Sequence, residues 1–302
     1  MKIGVIGMGR VGTSVAVSVL QQGVARELLV HDLHVETAEG EVLDLAHGAA
    51  FYPAAQIRVA TVEDMLDCDA VVIAAGRNGR ADETRLDLLR DNARVIGDLA
   101  RRLARLRGLL VIVSNPVDLL TQIATEQSGL APARVLGTGT LLDTARLRHA
   151  IGRELAIDPR SVHAHVLGEH GDSEVVAWSS AQVGGVALRG WPGWTAARET
   201  AISTEVRLAA YEIIRRKGAT NHAIGLATAT ALRWALRDER RVITVSRIQD
   251  GAAGITGLAL SLPAIVGRSG AVEVLTPDLD DGERAALARS VDALRAARAS
   301  LG

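Results

Sequence analysis

Three side chains that together could reduce a small 2-oxo acid stand in two short segments of the sequence. His170 lies between glycines in GEHGDS (168–173), and Asp143 and Arg146 lie in DTAR (143–146). The ordinary pKa of histidine suits proton exchange with a ketone near neutral pH. A carboxylate behind the ring would fix its tautomer and raise its pKa. Because arginine grips a carboxylate through two parallel hydrogen bonds, these residues predict a site for a 2-oxo acid.

The spacing of Asp143 and Arg146 has two interpretations. Residues three apart share one face of a helix, which would place both side chains where His170 could meet them. A surface ion pair would show the same spacing. His170 itself stands in too flexible a frame for a residue that fills a core, and this favours the interpretation as a reactive site.

A glycine-rich loop near the N-terminus predicts a dinucleotide site. Gly7, Gly9 and Gly12 form Gly-x-Gly-x-x-Gly between an apolar strand and a helix. The first glycine permits the tight turn, the second lets a pyrophosphate approach, and the third allows close packing of helix and strand. Asp32 follows the next strand, where its carboxylate would accept from both ribose hydroxyls and repel a 2′-phosphate. We therefore expect NAD rather than NADP, and hydride transfer to or from the acid.

Two further loops follow predicted strands. The segment 76–85 is polar, contains glycine and resembles a lid; Arg85 at its end could polarise the ketone, or could be a solvated loop arginine. Asn115 follows another strand, at the edge where open α/β sheets bind ligands. It could bind the nicotinamide amide or hold the site, and its bond to Pro116 is a candidate cis peptide.

Composition bounds the class of protein. The 302 residues are 48% hydrophobic and 23% charged, with a formal net charge of -1, so no basic surface indicates nucleic acid or an anionic membrane. No run reaches the roughly 18 apolar residues of a membrane span. Cys68, the only cysteine, excludes an intrachain disulfide, and carboxylates beside it would raise its pKa. We expect a structural thiol in a reduced, cytoplasmic protein, and we assign no metal site.

Strands alternate with helices through residue 140, which predicts a doubly wound parallel sheet of the α/β class. Beyond it the pattern is mixed α+β. We therefore expect a dinucleotide-binding domain at 1–140 and a substrate domain at 141–302. The predicted strands are 2–7, 27–31, 57–60, 70–75, 109–113, 134–136, 162–167, 241–247 and 258–266, and the predicted helices are 10–22, 35–48, 85–106, 117–128, 140–157, 196–217, 222–237 and 280–300.

With these motifs the chain resembles the L-lactate/L-malate dehydrogenase family over essentially its whole length. The resemblance implies a Rossmann domain, a mixed substrate domain and a homo-oligomer, which we expect to be a tetramer. The matching segments are 7–12, DLAHG (44–48), ETRLDL (83–88), SNPVD (114–118), 143–146, 168–173 and KGAT (217–220).

The resemblance also implies roles for single residues. It gives proton exchange to His170, orientation of that ring to Asp143, the substrate carboxylate to Arg146 and ketone polarisation to Arg85. The remaining substrate contacts that it implies are Asn115, Thr220 and Gly79. The cofactor contacts that it implies are Gly7, Gly9, Val11, Gly12, Asp32, Gly76, Asn92, Ser114 and Asn115.

Within the family the chain is more similar to bacterial lactate enzymes, through WSSA (178–181), Thr220 and SNPVD. Arg148 and His163 match positions where allosteric members bind fructose 1,6-bisphosphate between subunits.

One position departs from the pattern: Gly79 stands where lactate enzymes carry glutamine and malate enzymes carry arginine, and Arg77 and Arg80 flank it. We expect NAD-dependent reduction of pyruvate to L-lactate, in a pocket that is roomier than usual. The alternatives are reduction of oxaloacetate, a broad specificity for 2-hydroxy acids, and a non-catalytic NAD-binding protein.

Overall fold

A computed structural model of the chain describes residues 1–77 and 85–301, with Arg85 described by its backbone only. Within these residues the chain forms eight α-helices and fourteen strands. The helices are α1 Arg10–Gln21, α2 Val35–His47, α3 Arg85–Arg102, α4 Val117–Ser128, α5 Leu141–Leu155, α6 Ala196–Lys217, α7 His222–Leu236 and α8 Asp281–Ala299. The strands are β1 Lys2–Ile6, β2 Glu27–His31, β3 Gln56–Val59, β4 Ala70–Ile73, β5 Leu109–Ile112, β6 Val135–Gly137, β7 Val162–His163, β8 Val166–Leu167, β9 Val175–Val176, β10 Gln182–Val183, β11 Val186–Ala187, β12 Arg241–Asp250, β13 Thr256–Gly267 and β14 Gly270–Val274.

A parallel sheet forms the first half of the fold. Its six strands lie in the order β3-β2-β1-β4-β5-β6, and each neighbouring pair is parallel. The central strands β4 and β5 are apolar runs, AVVI and LLVI, whose residues are all buried. Such continuous runs are typical of a strand covered by helices on both faces. The predicted doubly wound α/β fold is confirmed.

Three strands of the second half extend this sheet, and the others form two small sheets, β11-β10-β7 and β8-β9. Strands β12, β13 and β14 are antiparallel, and β12 joins β6 where Ser246 pairs with Gly137. Two expectations for this half were wrong in detail. The predicted strand 162–167 is split into β7 and β8, because β7 pairs with β10 while β8 pairs with β9. The strand β14 was not predicted, since it is short and follows a tight turn.

Helix α7 of the second half packs directly on α1, the helix that follows the glycine loop. A Cβ atom at Gly225 would lie 2.6 Å from the backbone of Ser14, so only glycine permits this approach. The amide of Asn221 donates to the Ser14 hydroxyl at 3.2 Å. The two halves are therefore in contact beside the predicted phosphate site.

The single cysteine, Cys68, is fully buried in the core between the sheet and its helices. Burial raises the pKa of its thiol to about 12, which agrees with the expected structural role. Among the described helices, none has both the length and the apolarity to cross a membrane.

Candidate active site

The structure brings His170, Asp143 and Arg146 together around one carboxylate. The Nδ1 atom of His170 lies 2.5 Å from Oδ2 of Asp143, and Nη1 of Arg146 donates to Oδ1 at 2.7 Å. The Asp143 side chain is 2% exposed, whereas those of Arg146 and His170 are 16% and 26% exposed. The Asp143 carboxylate is thus buried behind the Arg146 guanidinium and the His170 imidazole, which are both partly exposed to solvent.

Helix α5 places Asp143 and Arg146 on the same face, as their spacing predicted. Its first residue follows Thr140, whose hydroxyl donates to the Val166 carbonyl at 2.6 Å and whose N–H donates to Ser261 Oγ at 3.0 Å. Thr144 Oγ1 accepts the N–H of Val166 at 3.0 Å. These contacts attach the start of α5 to β8 and β13, and so fix the carboxylate relative to the loop that carries His170.

The loop 168–170 is held at each of its three residues. Gly168 exchanges both backbone hydrogen bonds with Ser261 at 2.9 Å, and the N–H of Glu169 donates to Ser290 Oγ at 2.8 Å. The N–H of His170 donates to Oδ2 of Asp118 at 2.7 Å. Gly168 has φ +85°, and a Cβ there would lie 2.6 Å from Ser290 Oγ, so this position requires glycine.

The charges around His170 favour its protonated form. Burial by itself lowers the pKa of the imidazole, but its hydrogen bond to Asp143 and the charge of that carboxylate raise the pKa to about 9. Burial also pushes the pKa of Asp143 upward, yet the hydrogen bond and charge of His170, aided by Arg146, hold it below its usual value. The His170 ring can therefore stay protonated at neutral pH. Because its Nδ1 faces the Asp143 carboxylate, Nε2 is the atom that can donate the proton to a substrate.

The glycine loop has the shape that a phosphate group needs. Gly7 has φ +92°, and a Cβ at Gly12 would lie 1.8 Å from the Gly7 carbonyl oxygen, whereas a Cβ at Gly9 would meet open space. Helix α1 begins after Gly9, and within the described chain no side chain caps its first N–H groups. Val11 is half-buried in that first turn. Free N–H groups at a helix start attract an anion.

Asp32 lies beside this loop, at the end of β2. Its Oδ2 accepts the N–H of Met8 at 2.7 Å, and its Oδ1 accepts the N–H of His34 at 2.9 Å. Each carboxylate oxygen has a further lone pair for a hydroxyl donor. The backbone contacts therefore orient the carboxylate without using up its capacity to bind a ribose.

Two more loops at the same edge of the sheet contain the other predicted cofactor residues. Asn92 is buried and holds the chain after β4, because its Oδ1 accepts the N–H of Arg77 at 3.0 Å beside Gly76. Ser114 Oγ donates to the Ala75 carbonyl at 2.5 Å. Asn115 is exposed, and its bond to Pro116 is cis. The loops after β1, β4 and β5 thus face the same edge, as the parallel topology requires.

The family follows from comparison with known proteins. Residues 1–137 match the family model of the lactate/malate dehydrogenase NAD binding domain, and residues 140–300 match that of the lactate/malate dehydrogenase alpha/beta C-terminal domain. The chain belongs to the lactate/malate dehydrogenase family.

Members of this family include close relatives that are named L-lactate dehydrogenase. The protein of Thermus aquaticus is 43% identical over 312 residues and covers 100% of both chains. That of a Synechococcus species is 42% identical over 298 residues, which is 98% of this chain and 97% of the relative. A solved structure of the minor L-lactate dehydrogenase from Enterococcus mundtii is 39% identical, with a TM-score of 0.97, and covers 100% of this chain and 98% of its own.

As a member of the lactate/malate dehydrogenase family the chain is an NAD-dependent 2-hydroxy acid dehydrogenase with a small 2-oxo acid substrate, and both predictions are confirmed. The glycine loop, the uncapped start of α1 and the Asp32 carboxylate fit the dinucleotide.

Three predicted positions fall wholly or partly outside the part of the chain that the structure describes. Gly79 and Arg80 lie there entirely, and so does the side chain of Arg85, whose backbone begins α3. Arg77 is described, and its Nε and Nη2 donate to Oδ2 of Asp91 at 3.1 and 2.6 Å. Thr220 lies half-buried in the connection from α6 to α7.

Arg148 and His163, the predicted effector residues, both lie near His165. The Nε of Arg148 donates to the carbonyl of Ala164 at 3.1 Å, and His163 is exposed on β7. The neighbouring His165 is half-buried, and burial of its ring together with the charges of Arg148 and His163 lowers the pKa of the ring to about 4. His165 is therefore neutral at neutral pH, and Arg148 supplies a positive charge beside it.

Sequence reasoning missed two buried carboxyl groups beside His170. Asp118 binds the His170 backbone, and Glu174 is 7% exposed. Burial, and to a smaller extent the charge of Asp143, raise the pKa of Glu174 to about 8. A signal for Asp118 was present, since it is a charged residue in the apolar run VDLLTQIA, which is buried throughout.

Proposed function

We propose that this chain is an NAD-dependent L-lactate dehydrogenase that reduces pyruvate and, in reverse, oxidises L-lactate. The observation that carries the proposal is the shared carboxylate of Asp143, which binds the His170 ring and the Arg146 guanidinium at the same time. The extensive similarity to proteins named L-lactate dehydrogenase supports pyruvate as the acid.

In this proposal Arg146 binds the carboxylate of pyruvate. One contact to Asp143 uses a single nitrogen, Nη1, and a guanidinium has five N–H donors in a fixed plane. The Asp143 carboxylate then orients the Arg146 guanidinium and partly neutralises its positive charge. This limits the free-energy cost of burying that charge. Arg85 polarises the ketone, Asn115 and Thr220 complete the pocket, and the family resemblance gives position 79 the role of selecting the substrate side chain.

His170 supplies the proton. Its Nδ1–H is held by Asp143, so the Nε2–H points away from the carboxylate and is the one that can be transferred to the ketone oxygen. When bound, NADH supplies the hydride for the ketone carbon. Asp143 stabilises the imidazolium before the transfer and the neutral tautomer after it. In lactate oxidation the neutral ring accepts the alcohol proton at the same nitrogen.

The cofactor site proposed here uses the loops at the carboxyl edge of the sheet. The N–H groups that begin α1 would bind the pyrophosphate, with Gly7, Gly9, Val11 and Gly12 forming the turn. Asp32 would accept from the ribose, while Gly76, Asn92, Ser114 and Asn115 would shape the nicotinamide end. We place the boundary between the cofactor domain and the substrate domain at residues 140 and 141, where α5 begins.

The decisive experiment is a panel of 2-oxo acids followed through NADH absorbance. We expect pyruvate to be reduced more efficiently than oxaloacetate at equal concentration, with L-lactate as the product by chiral chromatography. His170→Ala should bind NADH normally and show almost no turnover. A wild-type protein that reduces oxaloacetate far better than pyruvate would overturn the lactate assignment, and a lack of turnover with every acid would overturn the enzymatic one.

We further propose that the chain is a cytoplasmic homotetramer whose Arg148 and His163 bind fructose 1,6-bisphosphate between subunits. The exposed histidine beside a half-buried arginine supports an anion site, since two cations at one strand end suit a bisphosphate. The single buried thiol fits a reducing compartment. Sedimentation with and without the bisphosphate tests the assembly, and cell fractionation tests the compartment.

A further inference from the structure

A carboxylate from the first half of the fold holds the backbone of the reactive histidine. Asp118 is the second residue of α4, is 2% exposed, and accepts the His170 N–H through Oδ2 at 2.7 Å. Helix α4 directly follows Ser114, Asn115 and Pro116, the loop at the end of β5. A single side chain therefore connects the loop beside the cofactor site to the proton donor, across 52 residues of sequence.

The surroundings of Asp118 are poor for a carboxylate that serves only stability. Among the described residues, neither its Oδ1 nor the Ser246 hydroxyl has a hydrogen-bond partner of good geometry. The two groups are close enough for the hydroxyl to lower the pKa of the carboxyl, against the larger effect of burial. Burial raises the pKa of Asp118 to about 6. A buried carboxyl with so few partners costs stability relative to an apolar residue of similar size. The cost indicates that the contact to His170 serves the reaction.

The other two backbone N–H groups of this loop donate to neutral groups, whereas the His170 ring binds the Asp143 carboxylate. Gly168 is bound by the Ser261 backbone and Glu169 by the Ser290 hydroxyl. Only at His170, among the three, is the acceptor a carboxylate. Hydrogen bonds to an ionised acceptor are shorter and roughly twice as strong as neutral ones. The strongest restraint on the loop thus acts on the residue whose position matters most for proton transfer.

We propose that Asp118 is a positioning residue, which holds the His170 imidazole against the Ser114–Pro116 loop at the separation that joint proton and hydride transfer requires. This rests on the proposed dehydrogenase function. Loss of the hydrogen bond should slow the chemical step and leave cofactor binding intact, because Asp118 reaches the reaction only through the backbone of His170.

Three variants test the proposal in the full-length protein: Asp118→Ala, Asp118→Asn and the control Glu126→Gln. Glu126 is a carboxylate on the same helix that pairs with Arg298 at 3.0 Å. Asp118→Ala should lower kcat by roughly 10- to 100-fold, the range for losing one hydrogen bond to a charged group. Asp118→Asn keeps an acceptor oxygen and should stay within about threefold of wild type. Glu126→Gln should not change kcat.

Two readouts separate positioning from a merely structural role. With NADH deuterated at the transferred hydrogen, the isotope effect on kcat should rise in Asp118→Ala and match wild type in Asp118→Asn. The dissociation constant of NADH, measured by fluorescence, should be the same in all variants. A kcat for Asp118→Ala within twofold of wild type, or an equally large loss in Asp118→Asn, would overturn the proposal. If Asp118→Ala does not fold, the kcat of Asp118→Asn decides alone.

Hydrogen exchange of the His170 amide provides a test that needs no turnover. Exchange should be slow in wild type and in Asp118→Asn, and at least about tenfold faster in Asp118→Ala. Equal exchange in all three proteins overturns the proposed contact. A wild-type protein that is inactive with pyruvate speaks against the proposed substrate only, since the exchange pattern still decides whether Asp118 holds the loop.

Discussion

The imidazole Nδ1 of His170 lies 2.5 Å from Oδ2 of Asp143, and the second oxygen of the same carboxylate binds Arg146. One buried group therefore orients both the proposed proton donor and the proposed substrate anchor. Any change at Asp143 should affect proton transfer and substrate binding together, whereas changes at its two partners should separate the two effects.

The pH dependence of the reaction should follow the raised pKa of His170, which is about 9. Reduction of pyruvate needs the protonated ring, so kcat/KM should hold at neutral pH and fall as pH rises through about 9. Oxidation of lactate needs the neutral ring and should rise over the same range. Asp143→Asn removes the charge that favours protonation, so both limbs should move to lower pH.

Rate profiles from pH 6 to pH 10 in both directions measure this shift. Asp158→Asn is the matched control, because Asp158 is an exposed carboxylate whose ion pair with Arg160 lies in the turn before β7. Its profile should overlie that of wild type. An alkaline limb that stays in place in Asp143→Asn would show that another group controls the reaction.

Replacement of Arg146 by lysine should damage substrate binding more than turnover. Lysine keeps the positive charge and loses the planar fork that binds a carboxylate with two hydrogen bonds. We expect KM for pyruvate to rise by roughly 10- to 100-fold, the effect of one lost hydrogen bond to a charged group. Steady-state kinetics over a wide range of pyruvate concentrations measure the change.

Arg153→Lys provides the control for Arg146→Lys on the same helix. Arg153 makes a two-nitrogen contact to Glu205, at 2.9 and 2.6 Å, on an exposed face of α5. A surface pair of this kind contributes little to stability, so KM and kcat should not change. If Arg146→Lys retains the wild-type KM, Arg146 does not bind the substrate carboxylate.

The sequence was sufficient to predict those parts of the site that depend on local spacing. The loop 7–12 and Asp32 form a motif whose context is a strand, a turn and a helix, all within one stretch of chain. Asp143 and Arg146 share a face because an α-helix repeats every 3.6 residues. In each case the residues that form the pattern and the structure that the pattern predicts lie close together in the sequence.

Contacts between distant segments could not be predicted in this way. The pairing of β12 with β6 joins residues more than a hundred positions apart, so the continuity of the nine-stranded sheet had no local signal. The segment 162–167 alternates like one strand, but its two ends pair with different partners. The contact from Asp118 to His170 depends on this same long-range assembly. Physical reasoning finds such contacts only after the elements have been placed.

Asp32 should determine the choice of cofactor. Its carboxylate is oriented by the N–H groups of Met8 and His34, and it would repel a 2′-phosphate. Asp32→Asn removes the charge and weakens one of these contacts. We expect the ratio of kcat/KM for NADPH to that for NADH to rise by at least about tenfold, the effect of one charge-assisted hydrogen bond.

The control for this variant is Glu36→Gln, because Glu36 is an exposed carboxylate. It should keep the wild-type ratio of the two kcat/KM values. Equal use of both cofactors by wild type would contradict the role of Asp32.

Gly168 should be intolerant of any side chain. Its φ of +85° costs a non-glycine residue roughly 1–2 kcal/mol, and the Cβ of an alanine would lie 2.6 Å from Ser290 Oγ. Overpacking adds about 1–3 kcal/mol. Gly168→Ala should therefore lower the free energy of unfolding by the sum of these effects, and it should lower kcat by moving His170.

Gly185→Ala separates the backbone effect from the clash. Gly185 has nearly the same φ, +83°, but a Cβ there meets no atom within 4 Å among the described residues. Denaturant unfolding should show only the smaller backbone cost, and kcat should not change. Equal losses in both variants would mean that Ser290 moves aside and that the packing beneath the loop is not restrictive.

Fructose 1,6-bisphosphate should lower the apparent KM for pyruvate through Arg148 and His163. The bond from Arg148 Nε to the Ala164 carbonyl fixes the guanidinium beside the strand that carries His163, and this supports the proposed anion site. His165, whose ring is neutral at pH 7 because its pKa is lowered to about 4, adds no charge. Arg148→Gln should remove the response and leave the KM measured without effector unchanged.

The control for this variant is Arg102→Gln, which removes an exposed arginine from the end of α3. Arg102 pairs with Glu63 through Nε at 2.7 Å and lies on a different helix from Arg148. It should respond to the bisphosphate as wild type does. Wild-type kinetics that do not change with millimolar bisphosphate would show that these two residues do not form an effector site.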